Sequence, residues 1–174
     1  RQNNFEIKKI VFVLATTEEK YFKGSKKMHH NEIIFNMVRK VFNLCKKKKI
    51  YFCAKIHPQH TSKKFLNLLK KENIHIDNSK FEENSWENTA FVFDNLETSA
   101  FKSACITDKP IVFFEQKRLS LTETVNKEIS KRCEKIKWLF QQNNNIEFND
   151  QAFYRAIKKS INKRTSKNLI KYMY

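Results

Sequence analysis

Short, nearly unbroken apolar runs alternate along this chain with longer stretches whose apolar residues recur at every third or fourth position. The runs Ile7 to Leu14 and Ile50 to Ile56 are rich in β-branched and aromatic residues and predict buried strands. Ile74 to Ile76, Phe91 to Asp94, Ile111 to Phe114 and Ile136 to Phe140 predict four more, and Pro110 suits the first residue of its strand. Between them, Ile33, Ile34, Met37, Val38, Val41, Phe42 and Cys45 share one face of a helix capped by Asn31 and running to Lys48. Thr61 or Ser62 caps a helix reaching Lys71. Further helices are expected over Glu97 to Ile106, over Leu121 to Cys133 and, capped by Asp150, over Gln151 to Asn162. Ala15 to His30 is polar and long for a loop, Phe81 to Asn88 is acidic and irregular with a helical turn near Trp86, and Asn143 to Asn145 is a turn.

Strands that alternate with helices and are themselves almost wholly hydrophobic belong to a parallel sheet covered on both faces. The expected architecture is therefore α/β: a Rossmann-like parallel sheet with helices on both faces. One domain spans residues 1–162, and residues 163–174 form a basic C-terminal tail. With 174 residues, a single domain with a sizeable core is the natural reading.

Charge changes this picture less than its size suggests. The formal net charge is +17 and invites a nucleic-acid or anionic-surface partner. Only six of the 35 basic side chains are Arg, however, and they accompany 18 Asn and 16 Phe. Readers of nucleic-acid sequence favour Arg for bidentate contacts, so this composition resembles the bias of an AT-rich genome more than a designed basic surface. The run Lys46 to Lys49 ends a helix, where cations suit the dipole. Cys45, Cys53, Cys105 and Cys133 lie far apart and mostly within apolar patterns, which reads as buried free thiols in the cytoplasm. No leader and no membrane span is expected, and a start at Arg1 reads as a fragment of a longer protein.

One glycine, Gly24, leaves no room for a glycine-rich phosphate loop. Phosphate would need a helix N-terminus, hydroxyls and cationic side chains instead. Glu97-Thr98-Ser99, just past a strand and opening a helix, offers all but the cation. Its plainer role is capping, worth about 1 kcal/mol. His57-Pro58 ends another strand; its plainer role is to stop that strand, with an incidental histidine. His57 and His60 sit three apart, yet Pro58 between them disfavours shared metal ligation. Both stretches fall at the carboxyl ends of strands, where open α/β sheets bind ligands. Asp94, Lys55 and the Thr16-Thr17 loop are the remaining candidates near that edge.

Lys55-Ile56-His57-Pro58, then Asp94 and Glu97-Thr98-Ser99-Ala100, then Lys109-Pro110-Ile111-Val112-Phe113-Phe114, resemble the C-terminal half of a GT-B glycosyltransferase. The nearest types are bacterial sialyltransferases and Kdo transferases, with their His-Pro and Ser/Thr motifs, and CDP-glycerol glycerophosphotransferases. The resemblance runs over about residues 7–160. It implies that His57 contacts the donor's phosphate and assists its departure, with Pro58 shaping the turn. It implies that Thr98 and Ser99 bind the same phosphate, here as Thr-Ser rather than Ser-Ser or Ser-Thr. Glu97 or Asp94 would meet the nucleotide's ribose or base.

The acidic-glycine motif that supplies the base in these enzymes belongs to their N-terminal domain and is absent here. The resemblance thus implies a nucleotide-sugar-binding domain for bacterial surface polysaccharide synthesis, inactive alone. Its donor would be a CMP-, CDP- or UDP-linked sugar and its acceptor a glycan. An N-terminal Rossmann-like domain of the same protein would be its partner, with peripheral membrane contact, and neither cofactor nor metal is expected. The competing expectation is a non-catalytic basic module that binds nucleic acid or an anionic membrane surface.

Overall fold

The computed structural model describes residues 6–15, 17, 27–57, 59, 61–96, 98–115, 122–141 and 145–173. Six strands, β1 (Lys9–Val13), β2 (Tyr51–Lys55), β3 (Ile76–Asp77), β4 (Thr89–Phe93), β5 (Ile111–Phe114) and β6 (Glu134–Ile136), form one sheet. Every neighbouring pair is parallel, and the order is β3-β2-β1-β4-β5-β6. This is the strand order of the doubly wound Rossmann-like fold, which reverses direction between β1 and β4. A small antiparallel pair, β7 (Leu139–Phe140) and β8 (Ile146–Glu147), lies outside the sheet.

Helices α1 (Lys27–Lys47), α2 (Lys63–Lys71) and α5 (Asp150–Ser160) cover one face. There Phe65, Leu69, Val38, Val41, Phe153 and Ile157 pack on Ile10, Phe12, Ala54, Val92 and Phe114. Helices α3 (Ser99–Ile106), α4 (Glu123–Arg132) and α6 (Lys167–Met173) cover the other, against Val11, Val13, Phe91, Phe93 and Phe113. Alternate residues of each strand thus feed opposite cores, which is why the strands read as continuous apolar runs.

The phenylalanines fill these layers in chains. Phe12 stacks on Phe114, and Phe114 meets Phe148 and Phe153. Behind β4, Phe81, Trp86 and Phe91 form a triangle with ring centroids 4.9–5.1 Å apart.

Several expected boundaries move, each for a local reason. The helix expected from Asn31 already begins at Lys27, so Asn31 lies inside α1 and donates from Nδ2 to the carbonyl of Thr17 instead of capping. The third strand is Ile76–Asp77 rather than Ile74–Ile76, and it pairs with Ala54 and Lys55 at the end of β2. The run expected as a strand over Ile136 to Phe140 divides: Glu134–Ile136 completes the sheet, and Leu139–Phe140 turns away to pair with β8. The last-named cap shifts from Asp150 to Asn149, whose side chain accepts from Ala152 N–H. Residues 167–173 of the tail form α6, with Leu169 buried in the second core. The turn expected at Asn143 to Asn145 lies mostly outside the described residues.

All four cysteines are free and buried. Burial pushes the Cys45 thiol up to about 12 and Cys53 to about 11, which leaves them unreactive packing residues. No helix among the described residues is long and apolar enough to cross a membrane.

Candidate functional site

Ser62 caps α2 by accepting from Phe65 N–H, and this fixes how the chain leaves β2. Between Lys55 and Ser62 the chain folds back on itself. Gln59 N–H donates to His57 Nδ1 at 3.2 Å, and Thr61 Oγ1 donates to the His57 carbonyl at 2.7 Å. Ser62 N–H then donates to Thr17 Oγ1, tying this turn to the segment after β1. A backbone amide can only donate, so Nδ1 must be the accepting nitrogen. The exchangeable proton of the neutral ring therefore sits on Nε2.

At the end of β4, Thr98 caps α3: its side-chain oxygen accepts from Phe101 N–H at 3.1 Å. Thr98 thus fills the capping role, and its hydroxyl hydrogen stays free to donate elsewhere. Ser99 is exposed, and the amides of Ser99 and Ala100, first in α3, have no intrahelical acceptor.

A cleft of about 290 Å³ opens across these strand ends. Val13 and Leu14 from the end of β1, Lys55, Ile56 and His57 from the end of β2, and Thr98 to Ala100 at the start of α3 all line it. The fourth wall is Ser79, Lys80, Phe81 and Glu82 after β3. The cleft thus spans β3, β2, β1 and β4, including the β1–β4 reversal where this fold receives ligands. Its size lies at the small end of ligand sites, which span roughly 300–1,000 Å³.

The cleft thus brings His57, Lys55, Thr98 and Ser99 together. Lys55 is nonetheless committed. It is 4% exposed and its ammonium meets Asp77 at 3.2 Å and the Ser79 carbonyl at 2.7 Å. Burial acts to raise the Asp77 carboxyl, but hydrogen bonds from Ser79 and the Lys55 charge outweigh it and hold Asp77 below the usual carboxylate range. Lys55 so fixes the Ser79 wall, with its charge balanced by Asp77.

Thr17 is buried and holds Ser62 and Asn31 rather than facing the cleft. Asp94 lies one residue past β4, is buried, and does not line the cleft; burial pushes its carboxyl up to about 7. Pro58, Glu97, Thr16 and His60 lie outside the described residues.

The wall formed by Ser79 to Glu82 is what sequence reasoning missed. Its signal was present in Asp77-Asn78-Ser79, a polar turn directly after a short strand at the same edge as His57. Phe81 anchors the wall through its contacts with Trp86, whose Nε1–H donates to the Phe81 carbonyl. Glu82 reaches across to Ser103 on α3, with Ser103 Oγ donating to Glu82 Oε1 at 3.1 Å.

No group of three His, Cys, Asp or Glu side chains able to hold a metal ion occurs among the described residues. Comparison with protein-family models, curated proteins and solved structures finds no match to this chain.

Proposed function

We propose that this chain is the donor-nucleotide-binding domain of a glycosyltransferase that builds a bacterial cell-surface glycan. The observation that carries this reading is the convergence of His57, Thr98 and Ser99, from two strand ends far apart in sequence, on one cleft at the carboxyl edge of the sheet. The donor is a CMP-, CDP- or UDP-linked sugar, the acceptor a glycan, and the rest of the enzyme an N-terminal domain of the same protein. A reducing, cytoplasmic setting suits four buried free thiols.

The donor's phosphate sits against the start of α3. The amides of Ser99 and Ala100 and the hydroxyls of Thr98 and Ser99 donate to it, and the helix dipole favours its charge. His57 donates through Nε2–H. In the transfer, the bond between the sugar's anomeric carbon and the phosphate oxygen breaks, and the phosphate keeps the electron pair. The acceptor oxygen bonds to that carbon and gives up its proton to a base from the other domain.

A phosphate whose second pKa is about 6 leaves readily as an anion, so it needs stabilisation of charge more than a proton. This narrows the role of His57 to a hydrogen-bond donor. Protonating Nδ1 as well would cost the hydrogen bond from Gln59 N–H.

Thermal unfolding with CMP, CDP, UDP and no nucleotide tests the reading. One of them at 100 times its dissociation constant raises stability by about 2.7 kcal/mol. No shift with any of them at millimolar concentration rejects it.

A further inference from the structure

A second groove, of about 350 Å³, lies along α1. Asn36, Arg39, Lys40, Asn43 and Lys47 line it from the side of α1 away from the core. Asn145 and Ile146, at the start of β8, and Asp150, at the start of α5, face them. No residue lines both this groove and the cleft at the carboxyl edge.

Contacts between segments far apart in the chain hold its walls. Lys40 Nζ donates to the Phe148 carbonyl at 2.8 Å and lies over the Phe148 ring. The Tyr154 hydroxyl donates to the Leu44 carbonyl at 2.8 Å and so ties α5 to α1. Leu44 and Ile146, both buried, are the apolar part of the lining.

Three cations in this lining face one carboxylate, that of Asp150. Lys40 and Lys47 stand 3.7 and 4.0 Å from it, and Arg39 stands 3.7 Å from Glu72, all beyond hydrogen-bond reach. Lys40 is engaged by Phe148, whereas Lys47 is exposed and Arg39 is half-buried with its guanidinium over Phe35. Along the helix Arg39 and Lys47 lie about 12 Å apart, the span of roughly four residues of extended chain. Asn43 lies between them, exposed, and Asn145 is exposed on the opposite wall. A carboxamide both donates and accepts, so it matches the N–H and C=O of a peptide group.

We propose that this groove binds an extended acidic peptide segment of a partner protein, with two carboxylates about four positions apart. The carboxylates meet Arg39 and Lys47, and the peptide backbone meets Asn43 and Asn145. Asp150 selects among anions: its carboxylate accepts from peptide N–H groups, whereas a phosphodiester chain offers it only acceptors and like charge. No aromatic side chain lines the groove among the described residues to stack a nucleobase. The inference stands apart from the nucleotide reading and is tested without nucleotide.

The test is an NMR titration of the nitrogen-15-labelled whole chain. The probe is an end-blocked heptapeptide of serines with glutamate at its second and sixth positions. Its addition is expected to move the amide signals of Arg39, Asn43, Lys47, Asn145 and Asp150, and the same peptide with glutamine for glutamate does not. Each exposed ion pair contributes up to about fivefold, so R39Q/K47Q weakens binding on the order of tenfold. The control K63Q/K64Q removes the same charge at the start of α2 and keeps the binding. The spectra of both variants establish that they fold. No shift at millimolar peptide, equal shifts with the glutamine peptide, shifts outside the groove, or equal loss in the control each overturns the proposal. Tighter binding of trigalacturonic acid or of a short oligothymidylate than of the peptide overturns it too.

Discussion

At the carboxyl edge the sheet ends in the His57 turn, buried Asp94 and the start of α3; at the amino edge it ends in helix carboxyl-termini and lysines. The two edges face opposite backbone problems. Helix starts leave N–H groups without partners, and helix ends leave carbonyls. At the amino edge those carbonyls are taken up from within the protein. Arg132, wholly buried, donates to the carbonyls of Ala104, Cys105, Thr107 and Lys109 and so closes the end of α3. At the other end of the same helix, only Phe101 N–H is claimed by the Thr98 side chain, and the two residues before it line the cleft. One short helix is thus sealed at its carboxyl end and open at its amino end.

That contrast can be broken most severely at the sealed end. Arg132→Ala takes the donor from the carbonyls of Thr107 and Lys109, leaves a cavity where a wholly buried side chain stood, and costs about 3–5 kcal/mol, read as a lower urea midpoint. An unchanged midpoint would show that solvent, not Arg132, satisfies the end of α3.

The next largest effect belongs to pH at the open edge. The folded pKa of Asp94, about 7, is raised above its unfolded value, so the folded state holds this proton more tightly. Its stabilisation is fully present below about pH 4 and is lost as pH rises towards 7, by up to about 1.4 kcal/mol per unit. Asp94→Asn flattens that slope. Asp77 has the opposite sign: its depressed pKa gives stability above about pH 4 that is lost in stronger acid. Denaturation between pH 3 and pH 8, in the parent and in Asp94→Asn, separates the two contributions.

His57→Ala removes one donor from the cleft and weakens nucleotide binding by roughly 1.5–3 kcal/mol, with little change in the unliganded midpoint. Nitrogen NMR of the parent finds the His57 proton on Nε2; a proton on Nδ1 contradicts the Gln59 contact. The smallest change is Thr98→Ala, which costs about 1 kcal/mol of stability through the lost cap. If it weakens nucleotide binding as well, Thr98 serves both ligand and helix; if stability alone falls, it serves only the helix.

Much of the fold was legible because burial on both faces leaves its mark residue by residue. Phe91, Val92 and Phe93 must all be apolar when alternate side chains enter different cores. What the pattern could not reveal were features that depend on strand neighbours. Ile74-His75-Ile76 has the more strand-like composition, but Ile76–Asp77 is what pairs with Ala54 and Lys55. The ion pair of Lys55 is not legible in the sequence because its neighbour across the sheet, Asp77, comes 22 positions later in the chain. The place of His57, Thr98 and Ser99 after strands is legible in the sequence, whereas that of Ser79 to Glu82 is not, because the strand before it is only two residues long.

By itself, then, the sequence determined the class of fold, the elements and the edge at which polar groups would collect, because these follow from local periodicity and the ends of apolar runs. Only the tertiary structure decided the strand order and the residues that share the cleft. It also decided that Lys55 is neutralised by Asp77 and that the ring nitrogen of His57 left to donate is Nε2. Each of these depends on which distant segments become neighbours, and pairing across a sheet is set by the packing of the whole domain rather than by any one stretch of it.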